Sequence, residues 1–191
     1  YTSYATNTEG TAFGDTLSFT TVAAAPIILS NPATDLAPVS ATIHGKITDY
    51  GAPDNVTTGF RWGLQADLSN AADTTVTIAA DSTFAAVLTG LQDNTTYFFS
   101  AYATNATETV FGDTLTFTTY IPITNLNIQS AVNLWTSDED LALSTYGHIS
   151  DWDVSNVTLM YDLFQDKSSF NEDISNWDVG RVINMSDMFK N

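Results

Sequence analysis

The stretch YATNTEGTAFGDTLSFTT at residues 4–21 returns almost unchanged as YATNATETVFGDTLTFTT at residues 102–119, a shift of 98 residues. A near copy at that distance means two modules in series, each about the length of one small β-sandwich. The first copy reads as the last strands of a module whose body lies upstream, and the second as the close of a complete one.

Between the copies the apolar residues alternate in short runs, the period-2 pattern of half-buried strands. ATIHGKIT sets Ala41, Ile43, Gly45 and Ile47 on one face and Thr42, His44 and Lys46 on the other. Phe60 and Trp62 share a face in the next run, Phe84, Ala86 and Leu88 in a third, and Tyr97, Phe99, Ala101 and Ala103 in a fourth. Turn-forming stretches at residues 49–55 and 90–96 separate them. Strands of this kind bury their apolar faces as two packed sheets, with Tyr97, Phe99 and Leu115 expected in the core.

The segment LTGLQDNTTYFFSAYATN resembles strand E, the tyrosine corner and strand F of a fibronectin type III domain, with Leu91 and Tyr97 at that family's spacing. The resemblance covers residues 26–120, and residues 1–21 repeat its strands F and G. It implies an inward Tyr97 ring whose hydroxyl bonds backbone. It departs at the strand B tryptophan, where Ile43 stands, and Trp62 on strand C is expected to fill the space. The linker VAAAP is short and ends in proline, which implies a semi-rigid rod of sandwiches.

After Tyr120 the pattern changes. Ile128, Val132 and Leu134 to Trp135 follow helical spacing, and SDED supplies an N-cap and early acids for a second turn at Leu141 to Leu143. Next, HISDWDVSNVTLMYDLF is followed by DISNWDVGRVINMSDMF, in which Trp152 aligns with Trp177 at a period of 25. Ile149, Ser150, Asp153, Val154, Val157, Met160, Asp162 and Phe164 recur at the same interval. Units of this length bury their edges only by stacking on neighbours. Trp-Asp-Val-x-x-Val is expected as a short extended edge, and Met160, Leu163 and Phe164 as a helical turn, with Trp152, Trp177, Phe164 and Phe189 holding the stack. The pattern resembles the BspA-like leucine-rich-repeat surface proteins of bacteria such as the Bacteroidota, with AVNLW and STYGHI as the N-terminal cap. That resemblance implies further repeats beyond Asn191.

The expected fold class is therefore mainly β: tandem immunoglobulin-like (fibronectin type III) β-sandwiches followed by an α/β leucine-rich-repeat-like solenoid. The expected divisions are residues 1–22, 23–120, 121–147 for a helical cap and 148–191 for the repeats.

Five Lys and Arg stand against 22 Asp and Glu, a formal net charge of −17. The charge divides evenly, with two cations against eleven acids in residues 1–121 and three against eleven in residues 122–191. Nucleic acid and anionic membranes are repelled by such a surface, and no apolar run is long enough to span a bilayer. Proteins or glycans at a cell surface, including copies of the chain itself, remain as partners. The absence of cysteine removes disulfides, thiol catalysis and Cys-based zinc sites.

Reaction chemistry finds little to work with. His44 falls on the polar face of a strand and His148 in a loop, neither with a serine or second histidine at diagnostic spacing, and the acids single out no glycosidase pair. No catalytic residue and no cofactor are expected. Asp151, Asp153 and Asp178 form a ladder that calcium would fit if the oxygens converged, against the plainer role of bonding turn amides. Trp62, Phe98 and Tyr102 suggest a sugar platform or a sheet face covered by a neighbour. Asn55, Asn94, Asn105, Asn156 and Asn184 lie in N-x-S/T sequons, and Thr16 and Thr114 in GDTL, which is similar to the O-glycosylation signal of Bacteroidota surface proteins. The resulting expectation is a non-enzymatic extracellular or cell-surface structural and adhesion protein, sandwiches as spacers and repeats as a multivalent or self-assembling face. The alternative is an accessory binding region of a large secreted polysaccharide-degrading enzyme.

Overall fold

The computed structural model describes residues 1–20, 22–52 and 54–190. Thr21 at the end of the first repeat copy, Pro53 of the 49–55 turn and the terminal Asn191 lie outside the described residues. In chain order the strands are β1 (Thr2–Asn7), β2 (Gly10–Thr16), β3 (Ile27–Thr34), β4 (Ser40–Asp49), β5 (Thr57–Gly63), β6 (Ala72–Val76), β7 (Thr83–Thr89), β8 (Thr96–Thr104), β9 (Thr109–Phe111) and β10 (Leu115–Thr118). Two helices follow, α1 (Ile128–Ser137) and α2 (Glu139–Tyr146).

Strands β3 to β10 form two antiparallel sheets, ordered β3-β4-β7 and β10-β8-β5-β6 with β9 on β8. This pairing is a β-sandwich of the fibronectin type III kind, and the period-2 pattern explains it. Ala41, Ile43, Gly45 and Ile47 of β4 face inward with Phe84, Ala86 and Leu88 of β7, against Phe60 of β5 and Tyr97, Phe99, Ala101 and Ala103 of β8. Gly45 is required by close approach, because a Cβ there would strike the Phe84 ring. The expected substitute for the missing tryptophan is corrected: Phe60, fully buried, sits 5.1 Å from Phe84 and 6.4 Å from Phe99, whereas Trp62 is half-buried at the sheet margin. Trp62 donates from Nε1 to Thr74 Oγ1 at 3.1 Å, and its polar edge keeps it out of the centre.

Tyr97 packs its ring 5.5 Å from Phe117, nearly parallel, and its hydroxyl accepts from the Gln92 backbone N–H at 2.9 Å. Tyr97→Phe leaves that part-buried N–H without a partner, so the sandwich should lose about 1–2 kcal/mol, read from its denaturant midpoint.

The β1–β2 hairpin repeats β8–β9 in detail. Tyr4 pairs with Phe13 as Tyr102 does with Phe111, at centroid distances of 6.2 and 5.9 Å. Thr6 and Thr11 share a hydroxyl hydrogen bond of 2.8 Å, and Thr104 and Thr109 one of 2.7 Å. Asn7 Oδ1 accepts from the N–H groups of Glu9 and Gly10 as Asn105 Oδ1 does from Thr107 and Glu108. Both strands of the first hairpin are exposed along their length.

A second, separate core gathers the residues after Tyr120. Helix α1 buries Ile128, Ala131, Val132 and Trp135, one face at helical spacing. Asp138 caps α2 by accepting from Leu141 N–H at 3.1 Å. Of that helix only Ala142 is buried, while Leu141 and Leu143 stay exposed. At the junction, Tyr120 is held to the sandwich by its N–H to Ala37 O at 3.4 Å and by Asn94 N–H to its own O at 3.3 Å, and the next residue, Ile121, donates its N–H to Thr145 O of the second core at 2.9 Å. Among the described residues no helix is long and apolar enough to cross a membrane.

Candidate interaction surface

The 25-residue period takes the form of two stacked coils. Trp152 lies 6.1 Å from Trp177 with ring planes 17° apart, and Phe164 lies 5.2 Å from Phe189 with planes 4° apart. Trp152 Nε1 donates to Gly147 O at 3.0 Å, and Trp177 Nε1 to Ile149 O at 2.8 Å, so each indole bonds the backbone preceding its own coil.

The backbone pairing runs elsewhere than the sequence suggests. Trp152 is extended, but Trp-Asp-Val joins no ladder; instead the N–H groups of Met160, Asp162, Phe164 and Asp166 donate to the carbonyls of Asn184, Ser186, Met188 and Lys190, at 2.8–3.0 Å. Leu159 and Asn184 make a parallel bridge. The expected helical turn at Met160 to Phe164 is likewise replaced by turns, because Asp162 takes a positive φ of 55°, as its equivalent Asp187 does at 53° in the second coil. Within the repeats the described residues hold turns, a 3-10 turn at Ile149–Asp151 and this one bridge, with no α-helix or β-strand.

The two coils differ sharply in burial. Val154, Met160 and Phe164 are 1%, 1% and 2% exposed, while their equivalents Val179, Met185 and Phe189 are 40%, 41% and 58% exposed. The first coil is covered on both sides, by α1 and by the second coil. On the cap side, Asn125 Oδ1 accepts from Thr158 and Leu159 N–H at 2.9 and 3.3 Å while its Nδ2 donates to Thr158 Oγ1, and Gln129 Nε2 donates to Leu163 O. These side chains do for the first coil what a preceding coil would do. Asn125→Ala removes the acceptor and should lower the stability of this core by about 1 kcal/mol in a thermal melt, with the sandwich unchanged.

The opposite side is open. Met185, Asp187 and Phe189 hold the positions whose N–H groups are bonded in the first coil, yet their own have no partner among the described residues. Exposed Ile183, Met185 and Phe189 accompany them. Backbone donors in a row beside apolar side chains are a template for another chain segment.

The residues singled out for chemistry fall apart in space. His44 pairs with Thr34 Oγ1 at 2.8 Å on an exposed strand face. His148 Nδ1 pairs with Ser150 Oγ at 2.7 Å, and Ser150 Oγ donates to Asp151 Oδ1 at 3.2 Å. That trio is one exposed turn, and its carboxylate bonds the serine rather than the far ring nitrogen that a nucleophilic triad requires. Asp153 Oδ1 accepts from Ser155 N–H at 3.0 Å, and Asp178 Oδ1 from Gly180 N–H at 2.9 Å, which are turn-stabilising roles. The Ser155 hydroxyl and N–H hold the Asp153 carboxyl below the usual carboxylate range. Among the described residues no group of three His, Cys, Asp or Glu lies close enough to hold a metal ion. Millimolar calcium should accordingly leave the unfolding temperature where it is.

Trp62 and Tyr102 do not share a platform. Trp62 lies against Tyr97, while Tyr102 pairs with Phe111 beneath Arg61, crosses Gly59 and approaches Thr75 Oγ1 with its hydroxyl at 3.4 Å. Phe98 is half-buried. Thr16 at the end of β2 and Thr114 between β9 and β10 are both exposed. Of the sequons, Asn105 is buried and donates from Nδ2 to Ala24 O at 2.8 Å, a poor position for a glycan.

Residues 105–191 match the family described as "Mycoplasma protein of unknown function, DUF285". The match spans the repeats and is compatible with the resemblance they carry. No curated protein matches the chain. Among solved structures, the sensor domain of the anti-sigma factor RsgI4 from Pseudobacteroides cellulosolvens shares 20% identity at a TM-score of 0.42, covering 49% of this chain and 93% of that one. The fibronectin type III domain of human fibronectin type III domain containing protein 3 shares 17% at 0.35, covering 53% and 90%. At those values the sandwich assignment rests on the sheet order above.

Proposed function

We propose that this chain is a non-enzymatic part of an extracellular or cell-surface protein, in which the sandwiches act as spacers and the stacked coils form the first units of a leucine-rich-repeat-like array that binds partners or further copies. The observation behind this reading is the asymmetry of the stack. One side is sealed by Asn125 and Gln129, and on the other the N–H groups of Met185, Asp187 and Phe189 have no partner among the described residues and stand beside exposed apolar side chains, a face open to a further repeat, another copy or a partner segment. A stiff array of such contacts gains avidity from many weak ones.

Sedimentation velocity of the chain tests the reading. Association that rises with concentration and disappears in Ile183→Asp/Phe189→Asp supports it, and a strict monomer at every concentration contradicts the self-assembling form. Thr16 and Thr114, exposed at matching places 98 residues apart, are the proposed O-glycosylation sites. Intact mass of native material decides that point, since a mass equal to the bare sequence ends it.

The accessory-region alternative draws on a different observation: the outward aromatic pair occurs twice, as Tyr4–Phe13 and Tyr102–Phe111. Co-sedimentation with insoluble polysaccharide, lost in Tyr102→Ala, would favour it.

A further inference from the structure

A concave site lies where the sandwich meets the second core. Its volume is about 790 Å³, within the range of ligand clefts, and three distant stretches line it: Asp35 to Val39, Tyr120 to Thr124, and Leu143 to Asn156. The walls are apolar, with Leu36, Pro38, Ile121 and Leu143, and the charged groups added to them are three carboxylates, Asp35, Asp151 and Asp153, beside the polar His148, Asn156 and Thr124. No lysine or arginine lines the cleft. Each of the three carboxylates is exposed and engages one oxygen: Asp35 Oδ2 with Thr34 Oγ1, Asp151 Oδ1 with Ser150 Oγ, and Asp153 Oδ1 with Ser155 N–H. The second oxygen of each has no hydrogen-bond partner among the described residues, and none of the three is ion-paired, the salt bridges there being Arg61–Asp73 and Lys190–Asp187. Arg181 Nη1 donates to Asn156 Oδ1 at 2.8 Å, and Asn156 lines the cleft.

We propose that this cleft docks an extended basic segment of a protein partner, arginine or lysine side chains laying their aliphatic stems on the apolar walls and their charged ends on Asp35, Asp151 and Asp153. Three observations select that occupant. Charge complementarity is direct, in a chain of net charge −17. A single metal ion does not fit, because no three acids converge among the described residues. The cleft's rings are already engaged in packing: Trp152 stacks on Trp177 with its N–H bonded to Gly147, Tyr146 packs edge-on to Trp152, and Tyr120 lies against Gly147. Burial, with the Asp151 charge added, raises the Tyr120 phenol above its ordinary range, so it remains a neutral wall. The site is separate from the open coil edge, and either can fail without the other.

The test is calorimetric titration of the whole chain with a five-residue peptide alternating arginine and valine, set against the same peptide with citrulline for arginine. One-to-one binding is expected for the arginine peptide, weakened about tenfold or more in Asp151→Asn/Asp153→Asn and by raising salt from about 50 to 500 mM. The charge-matched control Glu9→Gln/Glu108→Gln, on the two hairpin tips, should bind as the unaltered chain does. No binding at millimolar peptide overturns the proposal, as does equal binding of the citrulline peptide. Equal weakening in the control pair overturns it too, since it would mean diffuse attraction to an acidic surface. Saturable binding of maltohexaose abolished by Tyr120→Ala would reassign the cleft to sugars.

Discussion

Trp152→Ala is expected to unfold the core after Tyr120 while leaving the sandwich standing. The indole is buried among Trp135 at 6.1 Å, Tyr146 at 5.9 Å and Trp177 at 6.1 Å, and its N–H bonds Gly147 O. Truncation leaves a large cavity and removes the donor to that carbonyl, a loss of about 3–5 kcal/mol. A core of this size holds little more in reserve. Three of the four tryptophans, Trp135, Trp152 and Trp177, belong to it, so fluorescence follows its unfolding. The expected trace keeps the sandwich transition at its original temperature and loses the other.

Phe60→Ala is the complementary experiment. Phe60 has no exposed surface and meets Phe84 and Phe99 at the centre of the sandwich. The expected loss is again about 3–5 kcal/mol, and at about 4–8 °C per kcal/mol for a domain of this length the sandwich melt should fall by 12 °C or more. Here the second core should hold. A single shared transition in both variants would mean that the Tyr120 and Ile121 backbone bonds couple the two cores into one cooperative unit.

Much of this fold was readable from residue pattern because its causes are local. The alternation in ATIHGKIT, and the Tyr97, Phe99, Ala101 and Ala103 series in YFFSAYAT, leave one arrangement that buries Ile43, Ile47, Phe99 and Ala101 together. The 25-residue period likewise forced Trp152 onto Trp177. Whether Phe60 or Trp62 occupies the centre was decided by something pattern does not encode: the indole N–H needs an acceptor, and Thr74 on the neighbouring strand supplies it at the margin. The path of the repeat pairing was hidden for a similar reason. Aspartates at positions 162, 166 and 187 look like surface acids, and their left-handed backbone is what turns an apparent helical spacing into a run of turns. Asn125, with nothing in its surroundings to mark it, acts as a stand-in for a whole coil. The junction cleft draws on residues more than a hundred positions apart, and only the folded chain brings Asp35 near Asp151.

The proposal that the stacked coils serve as a repetitive pairing face is tested most directly by amide hydrogen exchange at matched positions of the two coils. Met160, Asp162 and Phe164 should be protected at every concentration. Met185, Asp187 and Phe189 should exchange freely in dilute solution and become protected when the chain is concentrated or its partner is added. Protection of both sets in the dilute monomer, or an edge that stays unprotected in the assembled state, would contradict it.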